Sequence, residues 1–558
     1  MKYVLNSKEH SNPDVVIVRA PEHNYEYLQW HEDVNAAYLL SVFLKAGYDA
    51  EVYDYALRSS PLEFNPEELL KKRASLIIWV VDKHPTNNPF HVSEMIRKFS
   101  AIASSEKPHL SIYGNTQVGP ERFLRELPID SVILGEEHDA LSLVRCIIEG
   151  NDLPSTTGTM FKASDGKLHA TPVAPRPNLD DLPWPARYYF HDSRLSQNPK
   201  DYVGAIMASR GCYAKCTFCY IRSKEETHGE YSWQGRAPED VVDEMSFLYF
   251  THGVREFAFV DPQFFGPGKR GHQWALRIAD LILQNGLKDI AFSIYARAND
   301  IRQDSIMKLK EAGLYAVFIG VESFSQDVLN RYRKGVTVER NVEAIELLMQ
   351  HNIRLRMGFI TFDRNSTFDE LEQSAIELER LCALRGDLIT QPVFFNNSLT
   401  ALENTPSSAL VDVTEGNDQE VRNAAPLLYE YRRKLSRGNG STTNPDVRVE
   451  VLAEATRMLA AELTQRSIQL EAQLSKDGNE TRPAQTEETM AWFDGLTPFA
   501  VSTFTKLIGD VKSRKLVKIG AEVDRLAEWI GTECKTYDSL HLAGRQLEVA
   551  SSRTISMD

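Results

Sequence analysis

Six cysteines in 558 residues are too few for a disulfide framework to hold the fold. Long apolar runs are also missing. The longest, LIIWVV from Leu76 to Val81, is far too short to span a bilayer. The opening residues, MKYVLNSKEH, contain no apolar core of signal-peptide length, so a cytoplasmic chain with no membrane partner is expected. Basic residues are not in excess. A net charge of −15 disfavours non-specific binding to nucleic acid or anionic lipid, and no basic run suggests a tRNA or DNA substrate, so no nucleic-acid partner is expected. There is no internal repeat. The apolar share of 42% and charged share of 25% are ordinary for a soluble globular protein, and the length predicts roughly three or four compact units.

The first 150 residues alternate between strand and helix patterns. DVVIVRA (14–20), AEVYDY (50–55), SLIIWVVD (75–82), HLSIYG (109–114) and DSVILGE (130–136) read as strands. VNAAYLLSVFLKAGY (34–48) and HVSEMIRKFSAIAS (91–104) read as helices. The alternation predicts an α/β domain over 1–150, a doubly wound parallel sheet whose ligands sit beyond the carboxyl ends of its strands. Residues 151–200 form a proline-rich linker with a hairpin turning at Asp165-Gly166.

From 201 to 400 alternation returns. VGAIMAS, EFAFVD, IAFSIYAR, AVFIGVES, RLRMGFITF and DLITQPVFF are strand candidates, and a partial or full β/α barrel is the economical arrangement. Residues 401–558 turn helical. Leu452, Leu459, Leu463, Leu470 and Leu474 make one apolar stripe on a long helix, and 475–489 is a polar connector.

Half of the scarce cysteines sit in one stretch, SRGCYAKCTFCY, as Cys212, Cys216 and Cys219. The stretch follows the first barrel strand, at the end of a barrel where chemistry occurs. Three thiolates suit a soft metal. Structural zinc wants four protein ligands, but Cys146, Cys382 and Cys534 are isolated and His228 is the nearest downstream histidine. A [4Fe–4S] cluster normally takes four thiolates, so with three, one iron keeps an open position for a substrate.

C-x3-C-x2-C after the first strand, with Phe218 just before the last cysteine, resembles the radical S-adenosylmethionine (SAM) superfamily. The resemblance implies that Cys212, Cys216 and Cys219 ligate a [4Fe–4S] cluster whose open iron chelates SAM and whose electron cleaves it to methionine and a 5′-deoxyadenosyl radical. It places Phe218 and Tyr220 near the adenine, and Asp261 and Gln263 of FVDPQFFGPG where the family usually carries Gly-Gly-Glu for the SAM amino group. Ser293 and Arg297 are implied for the SAM carboxylate or ribose, Glu322 for the ribose hydroxyls, and backbone near Gly358 for adenine. An electron donor such as flavodoxin or ferredoxin is the implied partner.

The front domain resembles the cobalamin-binding domain found before many radical SAM barrels, most specifically in its G…P…D.VI.GE run. It departs from that pattern twice. DKHPTN (82–87) has Asn87 where a D-x-H-x-x-G motif needs glycine and follows the third strand, so His84 is not a cobalt ligand. YGNTQ keeps only Gly114, with Asn115 next, where Gly-Gly normally lets backbone approach the cofactor.

The resemblances together imply a cobalamin-dependent radical SAM methyltransferase acting on a small metabolite or natural-product intermediate. Such an enzyme uses SAM twice, once as methyl source and once as radical source. The alternative keeps the barrel and drops cobalamin, as in radical SAM diol-dehydratases, and Asn115 favours it. A methylthiotransferase needs three more cysteines for a second cluster, and the front domain has only Cys146. A non-catalytic metal-binding protein is the third reading.

Overall fold

An apolar run without polar alternation has to be covered on both faces. LIIWVV is such a run, and Leu76–Val81 forms β3 with all six residues buried. The structure is a computed structural model that describes residues 12–20, 33–55, 64–81, 88–103, 107–114, 119–191, 202–221, 233–390, 394–399, 406–407, 444–477, 487–515 and 519–542. The chain divides into two compact units. The first comprises Met1–Tyr213, Tyr220–Ile294 and Glu311–Gly313; the second comprises Ala214–Cys219, Tyr295–Lys310 and Leu314–Asp558.

The first unit opens with β1 (Val15–Arg19), α1 (Val34–Lys45), β2 (Ala50–Asp54), α2 (Pro66–Lys71) and β3. It continues with α3 (Asn88–Ile102), β4 (His109–Gly114), α4 (Pro120–Glu126), β5 (Ser131–Ile133) and α5 (Glu137–Glu149). β1 pairs in parallel with β2 and β3, β3 with β4, and β4 with β5. The expected hairpin forms as β6 (Thr159–Lys162) and β7 (Leu168–Ala170), and it pairs antiparallel with β5. The front sheet is therefore mixed, in the order β2-β1-β3-β4-β5-β6-β7. Chain order reverses between β1 and β3, which makes that gap the switch point where ligands of such sheets bind. Trp79 lies in the core with Phe64 and Phe99 edge-on to it.

Side chains set the element ends. Asp33 caps α1 by accepting from the Ala36 N–H at 2.8 Å. The predicted strand DSVILGE stops at Ile133, because Glu136 and Asp139 form a capping box that starts α5. Gly114 has φ of +121°, and a Cβ there would overlap the Val81 carbonyl oxygen. Its glycine is thus explained by strand packing.

The same unit holds β8 (Gly204–Ile206), the short antiparallel pair β9 (Ser209–Arg210) and β10 (Gln234–Gly235), α6 (Pro238–His252), β11 (Glu256–Phe259) and α7 (Gly268–Gln284). β11 pairs in parallel with β8 and with the first half of β12 (Ala291–Arg297). The second unit takes the other half of β12, then α8 (Gln303–Glu311), β13 (Leu314–Glu322), α9 (Gln326–Arg331), α10 (Val338–Gln350), β14 (Arg354–Phe359) and α11 (Phe368–Arg385). The strands follow the order β14-β13-β12-β11-β8, a partial barrel sheet.

Residues 391–393 of the sixth expected strand, DLITQPVFF, lie outside the described residues; among the described ones Ile389 forms a bridge with Leu355. Helices α12 (Val447–Asp477), α13 (Glu487–Ser513) and α14 (Ile519–His541) follow. Leu452, Leu459, Leu463 and Leu470 of the stripe are fully buried; the side chain of Leu474 and connector residues 478–486 lie outside the described residues. Phe504 of α13 stacks on Phe395 at 4.8 Å, and the Thr497 hydroxyl donates to the Ile389 carbonyl at 3.0 Å, tying helix to barrel. No helix among the described residues is long and apolar enough to cross a membrane.

Candidate active site

The strand β8 delivers the chain to β9 and so to the cysteine stretch. Ser209 and Arg210 are both buried just before it. Arg210 Nη1 donates to Glu136 Oε2 at 2.5 Å and to Glu137 Oε2 at 2.9 Å, and its Nη2 donates to Glu137 Oε1 at 2.6 Å. The guanidinium also lies 5.4 Å from the Tyr38 ring centroid. Burial alone would lower its pKa; Glu137 and Glu136 reverse that and hold it well above the ordinary arginine value. The start of α5, at the carboxyl edge of the front sheet, therefore grips the residue two before Cys212.

Asp261 follows β11. Its Oδ1 accepts from the Ser209 N–H, while its Oδ2 is buried with no hydrogen-bond partner. Burial pushes this carboxyl up to about 7, against the lowering effect of Ser209. The Gln263 carbonyl accepts from Ser209 Oγ at 3.2 Å and Trp233 Nε1 at 2.9 Å, and its side-chain Nε2 donates to Phe265 O at 3.2 Å. Gln263 shapes its own loop. Ser293 stands opposite Ala258 in the β11–β12 ladder. Tyr220 is half-buried at the end of the cysteine stretch, and Cys212 is half-buried too.

In the second unit, Cys216 is buried and Cys219 half-buried. The Thr217 N–H donates to the Tyr332 carbonyl at 2.9 Å, and the Thr217 carbonyl accepts from the Ser407 N–H at 3.0 Å. Phe218 meets Tyr332 edge-on at 5.5 Å. The segment carrying two of the cysteines is thus stapled on both sides of Thr217. The hydroxyls of Thr217 and Ser407 are buried without a hydrogen-bond partner.

Glu322 closes β13 in the left-handed region, φ +68°, where the β13–β14 register shifts. That conformation costs a non-glycine residue about 1–2 kcal/mol and is characteristic of working sites. Its Oε1 accepts from the Lys334 ammonium at 2.6 Å. Lys334 is buried, 6.0 Å from the Phe218 ring centroid. Burial would lower its pKa; the Glu322 carboxylate and then the Cys216 thiolate raise it above the ordinary lysine value. Arg297, at the end of β12, donates from Nη2 to the Lys334 carbonyl at 2.5 Å. Gly358 pairs with Gly320 across β13–β14, and a Cβ on Gly320 would come within 2.7 Å of Lys334 Nζ and 2.9 Å of Glu322 Oε1.

Arg297, Glu322, Phe218 and Cys216 thus gather around Lys334, which the sequence reading left out. Arg210, Glu136, Glu137, Thr217 and Ser407 were also missed. The available signals were the SRGC and RKG stretches themselves. Gly114 ends β4 of the front sheet, and Asn115, His84 and Asn87 lie outside the described residues.

Residues 206–378 match the radical SAM superfamily. The chain carries a radical SAM domain. It is 31% identical over 258 residues to an uncharacterized methyltransferase of Pyrococcus horikoshii, covering 45% of this chain and 53% of that one. It is 26% identical over 425 residues to the 4′-phospho-dehydrooxetanocin synthase of Priestia megaterium, covering 66% of this chain and 55% of that one. The chain therefore spans only 53% and 55% of these two relatives' lengths. The structure of the cobalamin-dependent SAM radical enzyme OxsB, with aqua-cobalamin and SAM bound, superposes with a TM-score of 0.70 at 19% identity, over 95% of this chain and 80% of that one. This likeness carries the fold, front domain and helical C-terminal region included.

A radical SAM domain uses a [4Fe–4S] cluster and SAM, and the residues present fit both. Two buried hydroxyls beside the cysteine stretch and one buried carboxylate oxygen of Asp261 have no protein partner, as expected where a bound group supplies it. Among the described residues no three metal-ligating side chains converge as a single ion requires.

Proposed function

We propose that this radical SAM enzyme holds cobalamin in its front domain and transfers a methyl group to a small metabolite or natural-product intermediate. The observation that carries this reading is the Arg210 clamp, in which the front domain's Glu136 and Glu137 hold the residue two before Cys212. A front domain kept only as a relic has no reason to grip the catalytic stretch. The β1/β3 switch point, where a cofactor of such a sheet would bind, and the likeness to a cobalamin-bound enzyme add support.

Cys212, Cys216 and Cys219 would hold the cluster, which when reduced supplies the electron that cleaves SAM to the 5′-deoxyadenosyl radical. Asp261 Oδ2, buried and without a hydrogen-bond partner, suits the SAM amino group as an acceptor for one of its N–H bonds. Arg297 suits the SAM carboxylate and Glu322 the ribose hydroxyls, with Phe218, Tyr220, Ser293 and the Gly358 backbone completing the cosubstrate's surroundings. Gln263 acts through the Ser209 loop rather than by direct contact. The rigid strand ends position these groups, and holding reactants in line can account for a large part of a rate. A reducing protein such as flavodoxin or ferredoxin would deliver the electron.

The test is anaerobic reconstitution with iron, sulfide and hydroxocobalamin, then turnover with SAM and reductant. Methyl transfer predicts a stoichiometric corrinoid band and both S-adenosylhomocysteine and 5′-deoxyadenosine. A corrinoid band with 5′-deoxyadenosine alone points to a rearrangement. That second reading is favoured by the 425-residue likeness to a relative named as a synthase. A cluster without corrinoid points to a cobalamin-independent dehydratase.

A further inference from the structure

Lys334 is a buried ammonium held in one place. Its backbone N–H donates to the Leu329 carbonyl at 3.0 Å and its carbonyl accepts from Arg297 at 2.5 Å. Asn299 Nδ2 donates to the next carbonyl, Gly335, at 2.8 Å. Two residues earlier, the Tyr332 carbonyl accepts from the Thr217 N–H at 2.9 Å, fixing the distance from this segment to the cysteine stretch. Over the Gly320 backbone there is room for the ammonium only because no Cβ is present. The Glu322 carboxylate pairs with it at 2.6 Å, and the ammonium lies 6.0 Å from the ring of Phe218, which stands between Cys216 and Cys219 in the chain.

Burying a charge is expensive, and a lysine that served only to neutralise Glu322 would be replaceable by an apolar pair. The Cys216 thiolate supplies the reason for keeping it. A fixed cation beside a metal-ligating thiolate favours the more negative of two charge states of whatever that thiolate holds. The effect is large at this depth, where water screens little.

We infer that Lys334 is a positioning residue that raises the reduction potential of the iron–sulfur cluster through Cys216, with Glu322 opposing it. The inference rests on the radical SAM reading of the cysteine stretch. Lys334 thereby makes reduction of the cluster by its electron donor less unfavourable before SAM arrives, while leaving the reduced cluster a weaker reductant toward SAM, and Glu322 sets how much.

The experiment uses full-length protein reconstituted anaerobically with iron and sulfide, without SAM. Iron and sulfide are counted, and a redox titration is followed by electron paramagnetic resonance. At the poise that half-reduces the wild-type cluster, Lys334→Met is expected to lower the reduced-to-oxidised ratio at least about tenfold, about 59 mV for one electron. Glu322→Gln is expected to raise that ratio, and Lys334→Arg to stay within about threefold of wild type. A fully loaded Lys334→Met protein that titrates like wild type overturns the inference, as does Lys334→Arg falling as far as Lys334→Met. If Lys334→Met loads no cluster, Glu322→Gln decides: an unchanged or lowered ratio overturns the inference. Wild-type protein that assembles no cluster overturns the radical SAM reading itself, a separate and recognisable result.

Discussion

Two buried cysteines of this chain sit beside cations that are matched in different ways. Cys534 lies in the core of the C-terminal helices, and burial pushes its thiol up to about 12. The nearby Arg466 does not activate it, because that guanidinium is matched by Asp538 and by Glu462 at 3.2 Å. Cys216 is also buried, but its neighbouring cation, Lys334, is paired among the described residues with one carboxylate, Glu322. Burial by itself makes cysteine a small hydrophobe; burial beside an under-neutralised cation makes it a ligand. Cys382, pushed up to about 12 by burial, and Cys146, raised by burial and donating to the Asn151 carbonyl at 3.1 Å, fall with Cys534.

The comparison breaks most visibly at the cysteines themselves. Cys216→Ala is expected to abolish cluster assembly and reduce 5′-deoxyadenosine formation to background. Cys534→Ala should retain wild-type iron content, as measured by iron analysis after the same reconstitution. The next largest effect is on the clamp. Arg210→Met removes the guanidinium held by Glu137 and leaves Glu136 with its longer ion pair to Arg176 at 3.5 Å, and a loss of about 3–5 kcal/mol in stability is expected from denaturant unfolding.

Asp261 is the mirror case, a buried acid with no cation. Its folded-state pKa of about 7 stands above the unfolded value of about 3.9, so the neutral acid stabilises the fold at low pH. That contribution is fully present below about pH 3.9 and is lost as the pH rises to about 7. The stability of Asp261→Asn relative to wild type should therefore rise by about 1.4 kcal/mol per pH unit between those limits, then level off. Unfolding at pH 5, 6, 7 and 8 checks the slope. A flat difference would mean that Asp261 is ionised throughout. The smallest effect is expected at Cys382→Ala, about 1 kcal/mol of stability with cluster content unchanged.

What was readable in advance follows from the range of the interactions involved. β1 and β3 were legible because nearly unbroken apolar runs have few alternatives, and the C-terminal stripe because period and length agree. DSVILGE was read too long, since its last residues serve the α5 capping box. DLITQPVFF reads as a strand by composition; its described part contributes the bridge at Ile389, and residues 391–393 lie outside the described residues. Within the site, the cysteines, Arg297 and Glu322 carried their own signals through motif spacing or strand-end position. Lys334 carried only the RKG stretch, because its meaning depends on a carboxylate twelve residues back and a cysteine more than a hundred back. Arg210 sat inside the quoted stretch, yet its partners Glu136 and Glu137 lie 74 and 73 residues earlier in the chain.

The central claim is that three thiolates hold a cluster whose vacant iron binds SAM. Its most direct test is electron paramagnetic resonance of the anaerobically reconstituted, reduced protein, before and after adding SAM, with iron and sulfide counted. The account predicts a full [4Fe–4S] complement per chain and a cluster signal that SAM changes. Zinc in place of iron, or a cluster signal indifferent to SAM, would contradict it.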